Sequence, residues 1–82
     1  MEVNTPGEAM RVAQAVLRHH GYSIDQVEAW HDEGEYFKVS GLLVDDDLAT
    51  AGRFVASVTE AGTYKIAGGP LGGSMKIIAE EL

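Results

Sequence analysis

The chain reads as an α+β domain: an N-terminal helix packed on a four-stranded antiparallel meander, ending in a short C-terminal helix or strand. Three observations predict this. A capped segment with helical spacing opens the chain, period-two runs follow it, and those runs are joined by glycine turns. Such turns are too short to hold crossover helices, so neighbouring strands must run antiparallel.

The helix is marked at both ends. Thr5-Pro6-Gly7-Glu8 is a capping box, with Thr5 as N-cap, Pro6 in the first helical position and Glu8 reaching back to the cap's free N–H. Ala9, Val12, Ala13, Val16, Leu17 and His20 recur on one side, and Glu8, Arg11, Gln14 and Arg18 fall on the other. Gly21 supplies a left-handed stop with Tyr22 beyond it, so the helix is expected over residues 6–20.

The period then changes. Residues 24–30 set Val27 and Ala29 against Glu28 and Trp30, a strand with two usable faces. Asp32-Glu33-Gly34 turns the chain into residues 36–44, where Phe37 and Val39 alternate with Tyr36, Lys38 and Ser40. A loop is expected from Asp45 to about Gly52. Residues 53–59 form a third strand, with Phe54, Ala56 and Val58 on one face. Glu60-Ala61-Gly62 turns into a fourth at 63–67. Residues 68–73, Gly-Gly-Pro-Leu-Gly-Gly, read as a connector. In residues 74–82, Met75, Ile78 and Leu82 fit a helix, whereas Met75, Ile77 and Ala79 fit a strand; propensity leans to helix. The expected core joins Val12, Val16 and Leu17 to Val27, Phe37, Val39, Phe54 and Ile66, while Tyr36, Leu42 and Val55 form an apolar strip on the far sheet face.

At 82 residues the whole chain, 1–82, is one domain, with its core at 5–67. Hydrophobic residues make up 45% and charged residues 23%, ordinary globular proportions. The chain has no cysteine, which removes disulfides, thiolate nucleophiles and cysteine-type zinc sites. No apolar run is long enough for a membrane span, and the N-terminus lacks a basic flank and apolar core. Cytoplasmic residence is the default expectation, and an extracytoplasmic one would follow from a removed signal.

Thirteen acids against six bases give a net charge of −7, and eight of the acids lie within residues 25–47, where Lys38 is the sole Lys or Arg. Such a surface repels phosphate backbones, so nucleic acid is not an expected partner. His19, His20, His31 and Asp45-Asp46-Asp47 are the groups that resemble metal ligands. Adjacent His19 and His20 point about 100° apart on a helix. The aspartate run lacks a calcium loop's alternation, central glycine and closing glutamate. Gly73 is followed by Ser74-Met75-Lys76 rather than the Lys-Ser/Thr of a phosphate loop. No nucleophile–base arrangement stands out, and neither a catalytic residue nor a cofactor is expected.

Residues 5–9 (Thr-Pro-Gly-Glu-Ala), Ala13, Leu17, residues 27–30, the run Glu33-Gly34-Glu35-Tyr36-Phe37-Lys38-Val39 and residues 52–63 together resemble the PepSY domain. The similarity spans residues 5–66. It implies a cystatin-like arrangement, a helix wrapped by an antiparallel sheet, and a non-catalytic module, often extracytoplasmic, that regulates peptidases. The chain departs from that pattern. Glu60 stands where an aspartate is expected, and Phe37-Lys38-Val39-Ser40-Gly41 lacks the glutamine of inhibitory cystatins.

The expected function is therefore a small non-catalytic interaction or regulatory module. It would contact a protein partner, or a second copy of itself as a homodimer, through a sheet face or edge. Trp30, Tyr36, Val55 and Tyr64 are the candidate contact residues, because aromatic and apolar anchors dominate recognition surfaces. The alternative is a small-molecule or divalent-metal binder using His31 and the acidic loops.

Overall fold

The helix α1 forms over Pro6–His19, where the capping signal places it. A computed structural model describes residues 2–45 and 50–81 of the protein. Thr5 takes an extended conformation, and its hydroxyl accepts a hydrogen bond from the Glu8 N–H at 3.2 Å. Glu8 closes the box differently from expectation: its carboxylate accepts from the Thr5 hydroxyl at 3.2 Å. His20 is the C-cap and is exposed rather than part of the apolar stripe. Gly21 follows at φ +87°. The buried stripe is Ala9, Ala13 and Leu17, with Met10, Val12 and Val16 packed at its margins. Small side chains at the centre of the stripe bring the helix backbone close to the sheet.

Among the described residues five strands follow, one more than the four-stranded sheet the sequence predicts: β1 (Tyr22–Asp32), β2 (Tyr36–Asp45), β3 (Thr50–Thr59), β4 (Tyr64–Pro70) and β5 (Lys76–Glu81). They pair antiparallel in chain order, so β1 and β5 are the edges. Helix α1 lies across one face, mainly over β1 and β2. Beneath it are Phe37, Val39 and Leu43 from β2, Phe54, Ala56 and Val58 from β3, and Ile66 from β4. Val3 also belongs to this core, held by a 2.8 Å hydrogen bond from its N–H to the Glu60 carbonyl.

The extra strand lies where the sequence leans to a helix. Residues 76–81 pair with β4 from Tyr64↔Glu81 to Gly68↔Lys76, and Lys65 faces Glu80 at 3.7 Å. A helix this short is marginal without extensive packing. The open side of β4 offers a ladder instead, and Ile77 and Ile78 suit it. Gly68, Gly69 and Pro70, expected in a connector, are the end of β4, opposite Phe54, Arg53 and Gly52. The missing side chain of Gly69 has a use here: a Cβ on it would collide with the Ser74 carbonyl as the chain turns back. The third strand likewise starts at Thr50 rather than Arg53.

Irregularities in β1 settle which residues share a face. Register shifts fall between Ile24 and Gln26 and between Val27 and Ala29, placing Asp25 and Glu28 at bulges. Val27 therefore faces Gly41 on the helix side, Ala29 faces Ser40 on the other, and Trp30 faces Val39 on the helix side again. Val27 and Ala29 do not share a face as simple alternation predicts. Gly41 is what lets the bulged strand lie so close, since a Cβ there would overlap the Gln26 carbonyl.

Candidate functional site

The sheet register divides the four candidate contact residues between two faces. Tyr36 and Val55 lie on the face away from the helix, where they border a shallow hollow of about 290 Å³ with Lys38, Ser57, Lys65 and Ala67. Trp30 and Tyr64 lie on the helix side, in β1 and β4. The structure thus brings Tyr36 and Val55 together and keeps Trp30 and Tyr64 apart.

Tyr64 is half-buried against the core, and its hydroxyl donates to Glu81 Oε2 at 3.2 Å. Partial desolvation raises its pKa above the usual phenol value, and the Glu81 carboxylate raises it further as hydrogen-bond acceptor and as a nearby negative charge. These features tie β5 to β4, so Tyr64 is a structural residue as much as a surface one.

Trp30 is different. It is 53% exposed although it sits on the apolar side of the sheet. Between its strand and α1 is a cleft of about 440 Å³ lined by Met10, Val27, Glu28, Ala29 and Trp30. The side chains of Met10, Val27 and Trp30 make this opening apolar, and Glu28 and Ala29 complete its wall from the bulged strand. Met10 is the contributor that the sequence did not single out. It follows Ala9 in the helix, and its place beside Trp30 depends on where α1 crosses the sheet.

The backbone at this edge is also open. The Glu33 N–H donates to the Tyr36 carbonyl at 2.9 Å, which makes Glu33 and Tyr36 a hydrogen-bonded pair of the β1–β2 ladder. Bonded and non-bonded pairs alternate in an antiparallel ladder. Asp32 opposite Phe37 and Trp30 opposite Val39 are therefore non-bonded pairs, and both aim N–H and C=O away from β2. Asp25, Glu28, Asp32, Glu33 and Glu35 are exposed along this strand and its turn. Glu28 has an ion-pair partner, Arg53, at 3.9 Å on the far face, and both side chains are well exposed.

Among the described residues the metal-ligand candidates are not gathered into a site. His31 faces Lys38 on the outer side of the sheet, whereas Asp32 faces Phe37 on the helix side. Among the described residues no group of three or more His, Cys, Asp or Glu side chains is arranged to hold a metal ion. Asp46 and Asp47 of the aspartate run lie outside the described residues. A hollow near the β1–β2 turn, lined by Asn4, Asp32, Glu35 and Glu60 among others, is polar and acidic. No helix among the described residues is long and apolar enough to cross a membrane. No protein-family model, curated protein or solved structure matches the chain.

Proposed function

We propose that this protein is a non-catalytic interaction module that holds a protein partner in the cleft between α1 and β1. The observation carrying this reading is Trp30, a large aromatic left half-exposed at the border of an apolar cleft on an edge strand. Covering about 100 Å² of indole would contribute ~2–3 kcal/mol to an interface at the usual apolar coefficient. Tryptophan is also among the residues most often found to dominate binding energy. The resemblance to PepSY domains supports the same reading, since it too implies a module without chemistry of its own.

Selection of binders from a random-sequence peptide library tests the proposal. Peptides enriched on the wild-type protein are expected to lose about tenfold or more in affinity for Trp30→Ala. Trp30 is the sole tryptophan, so its emission reports on the cleft directly. A library that yields no binder, or binders indifferent to Trp30→Ala, overturns the reading.

Self-association is a second reading, favoured by a separate observation. Leu71, Met75 and Ile77, in and beside the β4–β5 turn, are 49%, 42% and 50% exposed, apart from the residues that line the Trp30 cleft. Sedimentation decides it: a dimer that Ile77→Lys dissociates supports this reading, and a strict monomer at high protein concentration removes it.

A further inference from the structure

We infer that the partner is an extended, basic segment of a protein that adds to the free edge of β1 as a sixth strand. The inference rests on the interaction reading above and specifies how the cleft is used. An added strand needs unpaired backbone groups, room for alternate side chains on one face, and a reason to choose one partner over others. The β1 edge has each of these.

Trp30 and Asp32 present their backbone N–H and C=O outward, as the ladder alternation requires. From Ala29 to Asp32 the strand is regular, beyond the second bulge, so a partner strand has a straight run to pair with. Side chains of such a partner alternate between the two faces of the sheet. Those on the helix side enter the cleft between Met10, Val27 and Trp30 and must be apolar. Those on the opposite side pass Glu28, which reaches across that face to Arg53.

Charge selects the partner. Asp25, Glu28, Asp32, Glu33 and Glu35 are all exposed along β1 and its turn, in a protein whose net charge is −7. Lys38 is the nearest cation in sequence and lies on β2. A basic segment is drawn to this edge, and an acidic one is repelled. The same charges oppose a second copy of the chain: pairing β1 with β1 would set two acidic edges against each other. Edge acids and bulges are a known defence against such pairing. Here they leave the edge open to a partner of opposite sign.

Three synthetic peptides test the inference on the full chain. One alternates Lys with Val, one alternates Glu with Val, and the third has the composition of the first in a helical order. The Lys–Val peptide is expected to bind, shift Trp30 emission, and slow amide exchange at Trp30 and Asp32 by about tenfold or more. Exchange at His31, whose N–H already points to β2, stays unchanged. The Glu–Val peptide and the helical-order peptide are expected to bind at least about tenfold more weakly. Glu28→Lys should weaken the Lys–Val peptide about threefold to tenfold, and salt near 1 M, where charges are screened beyond about 3 Å, should do likewise. Thermal melting of Glu28→Lys checks that the fold is intact. Equal binding by the Glu–Val or helical-order peptide overturns the inference, as does saturation without protection of Trp30 and Asp32. If none of the three binds while library peptides of another pattern bind through Trp30, the inference falls and the interaction module stands. If neither experiment yields a binder, both fall.

Discussion

Among the described residues β1 and β5 each leave one row of backbone groups without a strand beyond it, yet the two edges are built differently. β5 is six residues long, is bulged at Ile78, and is held by the Lys65–Glu80 pair and the Tyr64–Glu81 hydrogen bond. β1 is eleven residues long, carries two bulges and several acids, and borders an apolar cleft with a half-exposed tryptophan. A short edge tied down by its own side chains gives a partner little to grip. A long edge whose charges repel its own copies, but whose cleft still invites apolar side chains, is suited to a selected one.

Among substitutions at the two edges, the largest effect is expected at the glycine that lets β1 lie against β2. At Gly41 a methyl group would overlap the Gln26 carbonyl, a backbone atom of β1 that cannot swing aside. Gly41→Ala should destabilise the protein by about 3 kcal/mol and loosen β1 from β2. At Gly69 the clash is with the Ser74 carbonyl, in the exposed turn before β5, which can shift. Gly69→Ala should cost only about 1 kcal/mol. Urea denaturation of the two variants measures the difference, and equal losses would mean that the edges are equally anchored.

A smaller effect is expected at Trp30, and its smallness sharpens the contrast. Phe54 is fully buried, so Phe54→Ala should cost ~3–5 kcal/mol. Trp30→Ala removes a residue of greater size but half-exposed, and should cost about 1 kcal/mol or less. Stability measured by urea alongside peptide binding separates the two roles. A loss at Trp30 comparable to that at Phe54 would make the indole a core residue and weaken its assignment as an anchor.

Much of this architecture was legible in the residues, and the parts that were not share a cause. Thr5, Pro6 and Gly21 define the helix through local chemistry, and the alternation of Phe37, Val39, Phe54, Ala56 and Val58 identifies the buried face. Both signals are complete within a few neighbouring positions. β5 is not: residues 74–82 fit two periods, and the choice depends on the free side of β4. Val3 joins the core only because Glu60, distant in sequence, supplies an acceptor for its N–H. The candidate site shows the same limit. Trp30 stood out by its type, but its face is decided by the bulge at Glu28, which reverses the alternation begun at Val27. Tyr36 and Val55 share the outer face, as period-two alternation predicts, whereas Met10 enters the cleft through the crossing position of α1.

The smallest effect concerns the other edge and its dependence on pH. Tyr64 holds its proton more tightly in the folded protein, through desolvation first and then through Glu81. The unfolded phenol titrates near pH 10. Because the folded value is the higher one, the stabilising contribution is fully present below about pH 10 and is lost as pH rises through the folded pKa. Ionising Tyr64 also sets two negative charges together where the hydroxyl now donates to Glu81. The β5 edge should therefore loosen in alkali before the rest of the sheet. Replacing Tyr64 with Phe removes both the bond and its titration, so the stability gap between wild type and Tyr64→Phe should hold steady up to about pH 10 and narrow as the pH is raised beyond it. Urea denaturation across that range measures the gap, and amide exchange in residues 76–81 shows whether the change is local. A gap that stays constant would show that the Tyr64–Glu81 contact does not hold β5 in place, and the contrast between a tied edge and an open one would then rest on strand length and bulges alone.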